Sequence, residues 1–357
     1  MPSLSLSTGV QFFYTDSGAV DGGEYTTVVI IHGYSFHSGT TFLCSNPSLT
    51  VTLVSIGTFQ RLNPLAQPNS LRIISVNRRC YPGSSALSAD ELSTIAEGTD
   101  DARAGLLEQQ GCDLALFVDG LIDELSIPKN GGIALVGWSL GTIFLLSLIA
   151  SVETLPTATQ ERLSGYVRTV VLLQPPSLSL GLPMPPGHLT SHTDPDIAEA
   201  RGPAFAKWVS SYFVHGNLSL HKTEELTNNK TDPLKLSTVE RLKPEELFAL
   251  ADFTAAEKYD KVIGGAPFAP LVAAQTHKVL FDPTVRRAWR GATFWNLYGS
   301  AEPWTIIYAG WFLEDQSRAA NSLALAFQTK IIPGGNHFLA WDEPETTIMA
   351  LKACFSV

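Results

Sequence analysis

The segment LVGWSLGTIF, Leu135–Phe144, sets one hydroxyl, Ser139, between Gly137 and Gly141 inside an otherwise apolar run. An apolar strand that ends in Gly-x-Ser-x-Gly can reverse sharply into a helix, because glycine on either side removes the side-chain clash of such a turn. The serine oxygen would then stand at the strand's end and at a helix N-terminus, where backbone N–H groups and the helix dipole favour developing negative charge. That environment suits a nucleophile. The same two glycines would equally serve close packing of a strand on a helix, so other parts of the chain must separate the two readings.

A nucleophile held in this way needs a scaffold of strands to present it. Short β-type runs alternate with longer helical stretches along the 357 residues, which predicts a parallel sheet covered by helices on both faces. Strands are expected at Val10–Tyr14, Val28–Ile31, Arg72–Val76, Ile133–Val136, Val167–Leu173, Thr293–Tyr298 and Thr329–Ile332, and helices at Asp101–Leu125, Leu140–Val152 and Pro344–Ala353. From Pro175 to Pro283 no convincing strand is present. This stretch opens Pro-rich, in QPPSLSLGLPMPPGH, and then shows helical patterns at Ile197–Val214 and Pro244–Tyr259, so it reads as an inserted helical lobe. The expected division is a core in two parts, 1–174 and 285–357, with a lobe at 175–284.

Three further segments carry a resemblance. In VVIIHGYSFHSGTTF, Val28–Phe42, an apolar strand ends in His-Gly and a loop of small residues; with the Ser139 elbow, this resembles the α/β-hydrolase superfamily. The resemblance implies an α/β-hydrolase fold, a mostly parallel central sheet flanked by helices with an inserted helical cap. It also implies an oxyanion hole from the backbone N–H groups of Tyr34 and Leu140. VNRRCYPGSS, Val76–Ser85, is similar to the family's loop after the next strand, and its arginines are expected to organise that loop without taking part in chemistry. IIPGGNHFLAWDEPE, Ile331–Glu345, resembles the segment that delivers the general base, which makes His337 the implied base.

In TFWNLYGSAEPW the family usually places an aspartate three residues beyond the glycine, whereas here Gly299 is followed by Glu302. Glutamate can accept the imidazole N–H of His337 in the same way, and Glu302 is the implied acid. The family's alternative position for the acid, after the preceding strand, holds Gln174 and Pro175, neither of which supplies a charge. The implied reaction is hydrolysis of a carboxylic ester, lactone or thioester through an acyl-enzyme, with no cofactor. A serine in the elbow disfavours the dehalogenase and epoxide-hydrolase chemistries of relatives that carry aspartate there. Non-hydrolytic proton transfer, as in hydroxynitrile lyases and cofactor-free dioxygenases, and ligand reception stay open as alternatives.

Phe205, Trp208, Tyr212 and Phe213 fall at near-helical spacing. Such a stripe either packs the lobe on the core or lines an apolar pocket with Tyr34, Phe36 and Trp138. A mainly apolar substrate is therefore expected. His188, His192, Asp194 and Asp196 lie close together in HLTSHTDPD, but the Pro-flanked segment reads as a solvated loop, and no metal is expected.

A net charge of -10 offers no basic face to nucleic acid. No run of 18 apolar residues suggests a membrane span. Cys44, Cys80, Cys112 and Cys354 are scattered, and the N-terminus lacks a basic start followed by an apolar core, so a reducing, cytoplasmic setting is expected. Oligomeric state is left open.

Overall fold

Val28–Ile31, Ile133–Val136 and Val167–Leu173 are near-continuous runs of Val, Ile, Leu and Ala, a pattern that a strand uses when both of its faces are covered. The computed structural model describes residues 2–43, 53–188, 202, 204–319 and 325–355. Among them ten strands occur: β1 Ser3–Ser5, β2 Gln11–Asp16, β3 Thr26–Ile31, β4 Thr40–Leu43, β5 Leu53–Ile56, β6 Leu71–Val76, β7 Ile133–Trp138, β8 Val167–Leu173, β9 Thr293–Gly299 and β10 Phe327–Ile332. Eight of these form one sheet in the order β1-β2-β6-β3-β7-β8-β9-β10, and β4 pairs with β5 in a separate antiparallel ribbon. From β6 to β10 every pairing is parallel, while β1 and β2 are antiparallel at one edge. This is the α/β-hydrolase fold.

Successive residues of β3 bury opposite faces. Val29 and Ile31 join a cluster built with helices Asp100–Glu124, Gly141–Ala150 and Ala269–Phe281. Val28 and Ile30 join a second cluster with Ile348 and Leu351 of helix Pro344–Phe355. Strand order reverses around β3, whose neighbours are β6 and β7. At such a reversal the chain leaves adjacent strands in opposite directions and opens a crevice beyond their carboxyl ends. The helix Gly141–Ala150 that starts there is buried at all ten positions, an apolar surface on every side that fits only a helix enclosed by other elements. Whatever stands at its N-terminus is held rigidly.

The seven expected sheet strands are present, Val167–Leu173 with the expected ends and the others with ends that differ by at most two residues. Three short strands were not anticipated. The three residues of β1 pair with β2 through Leu4↔Phe12, too short a run to register as alternation. Between β8 and β9 two helical expectations change. Pro244–Tyr259 is not one helix: it breaks after Leu250, where Ala251 forms an isolated bridge with Phe36. The Asp252 side chain then accepts the N–H groups of Thr254 and Ala255 and starts a new turn, as a good N-cap does.

In the Ile197–Val214 pattern, residues 197–201 and 203 lie outside the described residues, and the helix closes at residue 209. Ser210 and Ser211 return their hydroxyls to the carbonyls of Ala206 and Lys207 at 2.7 and 2.8 Å, a local bond that competes with continued helix. Tyr212 and Phe213 therefore fall beyond the helix, and the expected stripe is not continuous.

Candidate active site

Ser139 occupies the turn between β7 and helix Gly141–Ala150 with φ +55°. A non-glycine residue in this region costs on the order of 1 to 3 kcal/mol and persists only where its surroundings hold it. Here the Ser139 N–H donates to Leu173 O at 2.9 Å and its carbonyl accepts the Thr142 N–H at 3.0 Å. Gly141 is required by close approach, since a Cβ there would lie 2.4 Å from the Ile31 carbonyl oxygen and 2.6 Å from that of His32. Gly33 comes equally near the serine, for its Cβ would stand 2.8 Å from Ser139 Cβ. The loop after β3 thus lies directly against the hydroxyl.

His337 follows β10 and places Nε2 2.9 Å from Ser139 Oγ, with Nδ1 2.9 Å from Glu302 Oε2. Glu302 follows β9 and is completely buried. Its Oε1 accepts Gln174 Nε2 at 2.6 Å and the Gly299 N–H at 2.7 Å. An ionised carboxylate only accepts, so Nδ1 carries the imidazole proton and Nε2 presents its lone pair to the serine. The loop bearing His337 is anchored by Asn336, whose Nδ2 donates to Ser210 O, Thr238 Oγ1 and Asp342 Oδ2. The Trp138 ring stacks on His337 with centroids 5.2 Å apart. Behind Glu302, His215 accepts the Thr227 N–H on Nδ1 and donates Nε2–H to the Glu302 carbonyl at 2.7 Å. Burial lowers its pKa and keeps it neutral.

Arg78, in the loop after β6, holds the loop after β3 by hydrogen bonds and the segment between β8 and β9 by a buried ion pair. Arg78 donates to Asp260 at 2.9 and 2.7 Å and to the carbonyls of His32 and Gly33 at 3.0 and 2.8 Å. Asp260 ends a five-residue π-helical stretch, Ala256–Asp260, and also accepts the Tyr81 hydroxyl. One carboxylate thereby ties the segment between β8 and β9 to the loop beside Ser139, and the π-turn is a common device for aiming a side chain at a site.

A cavity opens over the serine. It is lined by Ser139, His337, Tyr34, Leu140, Phe205 and Trp208, with Leu178, Val209, Asp260, Thr305 and Ile306 completing much of the wall. Three residues expected there are occupied elsewhere. The Tyr212 hydroxyl donates to Asp342 at 2.7 Å, because the helix has already ended and the chain has turned away. Phe36 packs edge-on against Phe338 and Phe253, on the inner side of the loop. Trp138 lies beneath His337 and donates its indole N–H to Gln174. Gln174, Gly33, Arg78 and Asp260 surround the site without having been singled out as chemical. The close glycine contact is the one feature among them that the His-Gly motif signals.

Among the described residues no group of three or more His, Cys, Asp or Glu could hold a metal ion, and no helix is long and apolar enough to cross a membrane. His192, Asp194 and Asp196 lie outside the described residues. The His188 ring packs on Trp304. Cys80, Cys112 and Cys354 are free thiols, and Cys44 lies outside the described residues.

Two further histidines of the β3 loop are buried and uncharged. His32 Nε2 accepts the Arg78 N–H at 3.1 Å, and burial with the adjacent Arg78 charge drives its pKa well below the ordinary value. Burial pulls His37 from 6.5 down to about 4. The unfolded chain binds protons at these sites that the folded chain refuses, so stability is intact above about pH 6.5 and falls as pH drops towards 4. His37 alone should account for a loss on the order of 3 kcal/mol across that window. Urea unfolding at pH 7 and pH 4.5 measures it, and His37→Gln should flatten the slope. Equal slopes for both proteins would contradict a buried neutral His37.

The sequence matches a family model described as alpha/beta hydrolase family over residues 28–350. A comparison with curated proteins returns no match. Among solved structures, the proline iminopeptidase of Mycobacterium smegmatis superposes with a TM-score of 0.50 at 12% identity, covering 99% of this chain and 97% of that one. The bromoperoxidase from Bacillus anthracis gives 0.49 at 13% identity with both chains fully covered, and the esterase from Exiguobacterium antarcticum gives 0.48 at 11% with 99% of each. At such identities the likeness concerns the fold alone.

Proposed function

This chain belongs to the alpha/beta hydrolase family, and from that premise we propose that it is a serine hydrolase acting on a neutral, mainly apolar carboxylic ester or lactone. The observation that carries the reading is the unbroken chain of hydrogen bonds from Glu302 through His337 to Ser139. His337 Nε2 takes the hydroxyl proton as Ser139 Oγ attacks the acyl carbon, and the new imidazolium is stabilised by Glu302 on Nδ1. The backbone N–H groups of Tyr34 and Leu140 receive the oxyanion. Collapse of the tetrahedral adduct expels the alkoxide, which takes the proton back from Nε2. Water then gives its proton to Nε2, its oxygen attacks the acyl-serine carbon, and the acid leaves as Ser139 regains its proton.

The nature of the walls supports the substrate class. Leu140, Leu178, Phe205, Trp208, Val209 and Ile306 are apolar, and the buried carboxylate of Asp260, a residue of the same wall, is already matched by Arg78. Such a space favours an uncharged acyl group. In this reading residues 175–284 act as a cap whose part around 204–264 covers the serine. Helix Ala269–Phe281 instead packs on helix Gly141–Ala150 and holds that cap to the core.

A fluorophosphonate probe should label the protein at Ser139, because an activated serine attacks phosphorus as it attacks an acyl carbon. Peptide mass analysis locates the adduct, and Ser139→Ala should abolish it. Neutral p-nitrophenyl esters and lactones should be cleaved faster than dicarboxylic half-esters. Labelling that persists in Ser139→Ala would remove the nucleophile assignment, and preference for the half-esters would remove the substrate class.

A further inference from the structure

We propose that Gln174 is a positioning residue of this site, whose side-chain amide fixes the acid, the loop of the base and the indole beneath the base in one arrangement that a carboxylate at this position would break. The inference rests on the serine-hydrolase reading.

Gln174 is the first residue after β8, buried, with φ +56°. Its backbone N–H donates to Leu297 O of β9 at 2.7 Å. The side chain then makes three bonds, all to the site. Nε2 donates to Glu302 Oε1 at 2.6 Å and to the Asn336 carbonyl at 2.7 Å, and Oε1 accepts the Trp138 indole N–H at 2.8 Å. The orientation of the amide follows from its partners, since an indole N–H only donates and a carbonyl only accepts. Asn336 immediately precedes His337. Trp138 immediately precedes Ser139 and stacks on the His337 ring. One amide therefore touches a group attached to each member of the Ser139, His337 and Glu302 set.

By donating to Oε1, together with the Gly299 N–H, Gln174 leaves Oε2 as the oxygen that faces His337. The carboxylate cannot rotate without giving up both donors. A glutamate in place of Gln174 would set two carboxyl groups about one hydrogen bond apart, and like charges at that separation do not both ionise. A proton shared between them could not also satisfy the Asn336 carbonyl. Placement of the acid on Glu302 thus requires a neutral double donor at 174. The other titratable groups around this centre are His215 on the Glu302 carbonyl, Tyr298, and Asp342 with Arg241, reached through Asn336.

The test compares Gln174→Glu and the similarly sized, non-bonding Gln174→Met with the natural protein, reading kcat, KM and the pH dependence of kcat/KM on a p-nitrophenyl ester. Both variants should lower kcat by about 10²-fold or more with KM changed less than about 3-fold, the pattern of a lost transition-state arrangement. In Gln174→Glu the acid limb should move down by about half a pH unit or more, since the shared proton takes part of the negative charge off Glu302 and the imidazolium loses that stabilisation. The ¹⁵N titration of His337 should move in the same direction, and this reading needs no turnover. If Gln174→Glu fails to fold, Gln174→Met alone decides through its kcat. Folded variants with natural kcat and an unmoved His337 titration would overturn the proposal. Failure of the natural protein to take the fluorophosphonate or cleave any ester would instead overturn the hydrolase reading, and the His337 titration would still decide the role of Gln174.

Discussion

Ser139→Ala should lower kcat for ester hydrolysis by about 10⁶-fold, the scale of losing the nucleophile of a serine triad, with an unfolding transition close to that of the natural protein. The loss is large because the remaining groups can only orient water against the acyl carbon. Little stability should be lost, because the bonds that hold the elbow come from the Ser139 backbone, to Leu173 O and from the Thr142 N–H. Only the bond to His337 Nε2 depends on the hydroxyl. His337→Ala should cost about as much, and the double variant little more, since groups that act as one unit are far from additive. Initial rates with titrated active sites measure the effect. A purified Ser139→Ala protein that retained more than a few per cent of kcat would show that the serine does not attack.

The parts of this molecule that were legible in its sequence are those whose signal is local. A strand covered on both faces must be apolar throughout, so β3, β7 and β8 stand out. The elbow stands out because Gly141 has no room for a Cβ against the backbone at the end of β3, a constraint that leaves its mark as a glycine two residues beyond the serine. Ser139, His337 and Glu302 each follow a strand of the same parallel sheet, so the motif at each strand end carries most of their placement.

What was hidden depends on groups far apart in the chain. The break after Leu250 reflects the bridge from Ala251 to Phe36 across more than 200 residues, and an otherwise helical pattern conceals it. The lobe aromatics read as one stripe, but two serine hydroxyls end the helix between Trp208 and Tyr212. Asp260 gives no local sign that it will meet Arg78. Gln174 is the sharpest case. Considered only as a possible acid, it has no charge and is passed over, whereas its value lies in two donors and one acceptor whose partners come from β7, the loop after β9 and the loop after β10.

Glu302→Gln tests how that network dictates the state of the base. The two oxygens of Glu302 have different duties: Oε1 receives two donors, from Gln174 and the Gly299 backbone, while Oε2 receives His337 Nδ1–H. An amide at 302 must keep its oxygen at the Oε1 position, because an NH₂ group there would confront two donors. Its NH₂ group is then forced to face Nδ1 of His337. The imidazole responds by accepting on Nδ1 and carrying its proton on Nε2, which now points a hydrogen at Ser139 Oγ. In that tautomer the ring cannot take the serine proton, and the charge that would stabilise an imidazolium is gone as well. We therefore expect kcat to fall by about 10⁴-fold, the scale found when a triad acid becomes an amide. The near-isosteric change should leave the unfolding midpoint within a few degrees. Steady-state kinetics beside a thermal melt provide the measurement, and ¹⁵N shifts of His337 report the tautomer directly. A folded Glu302→Gln protein with near-natural turnover would mean that another carboxylate serves His337. Natural tautomer shifts with lost turnover would locate the effect in charge alone.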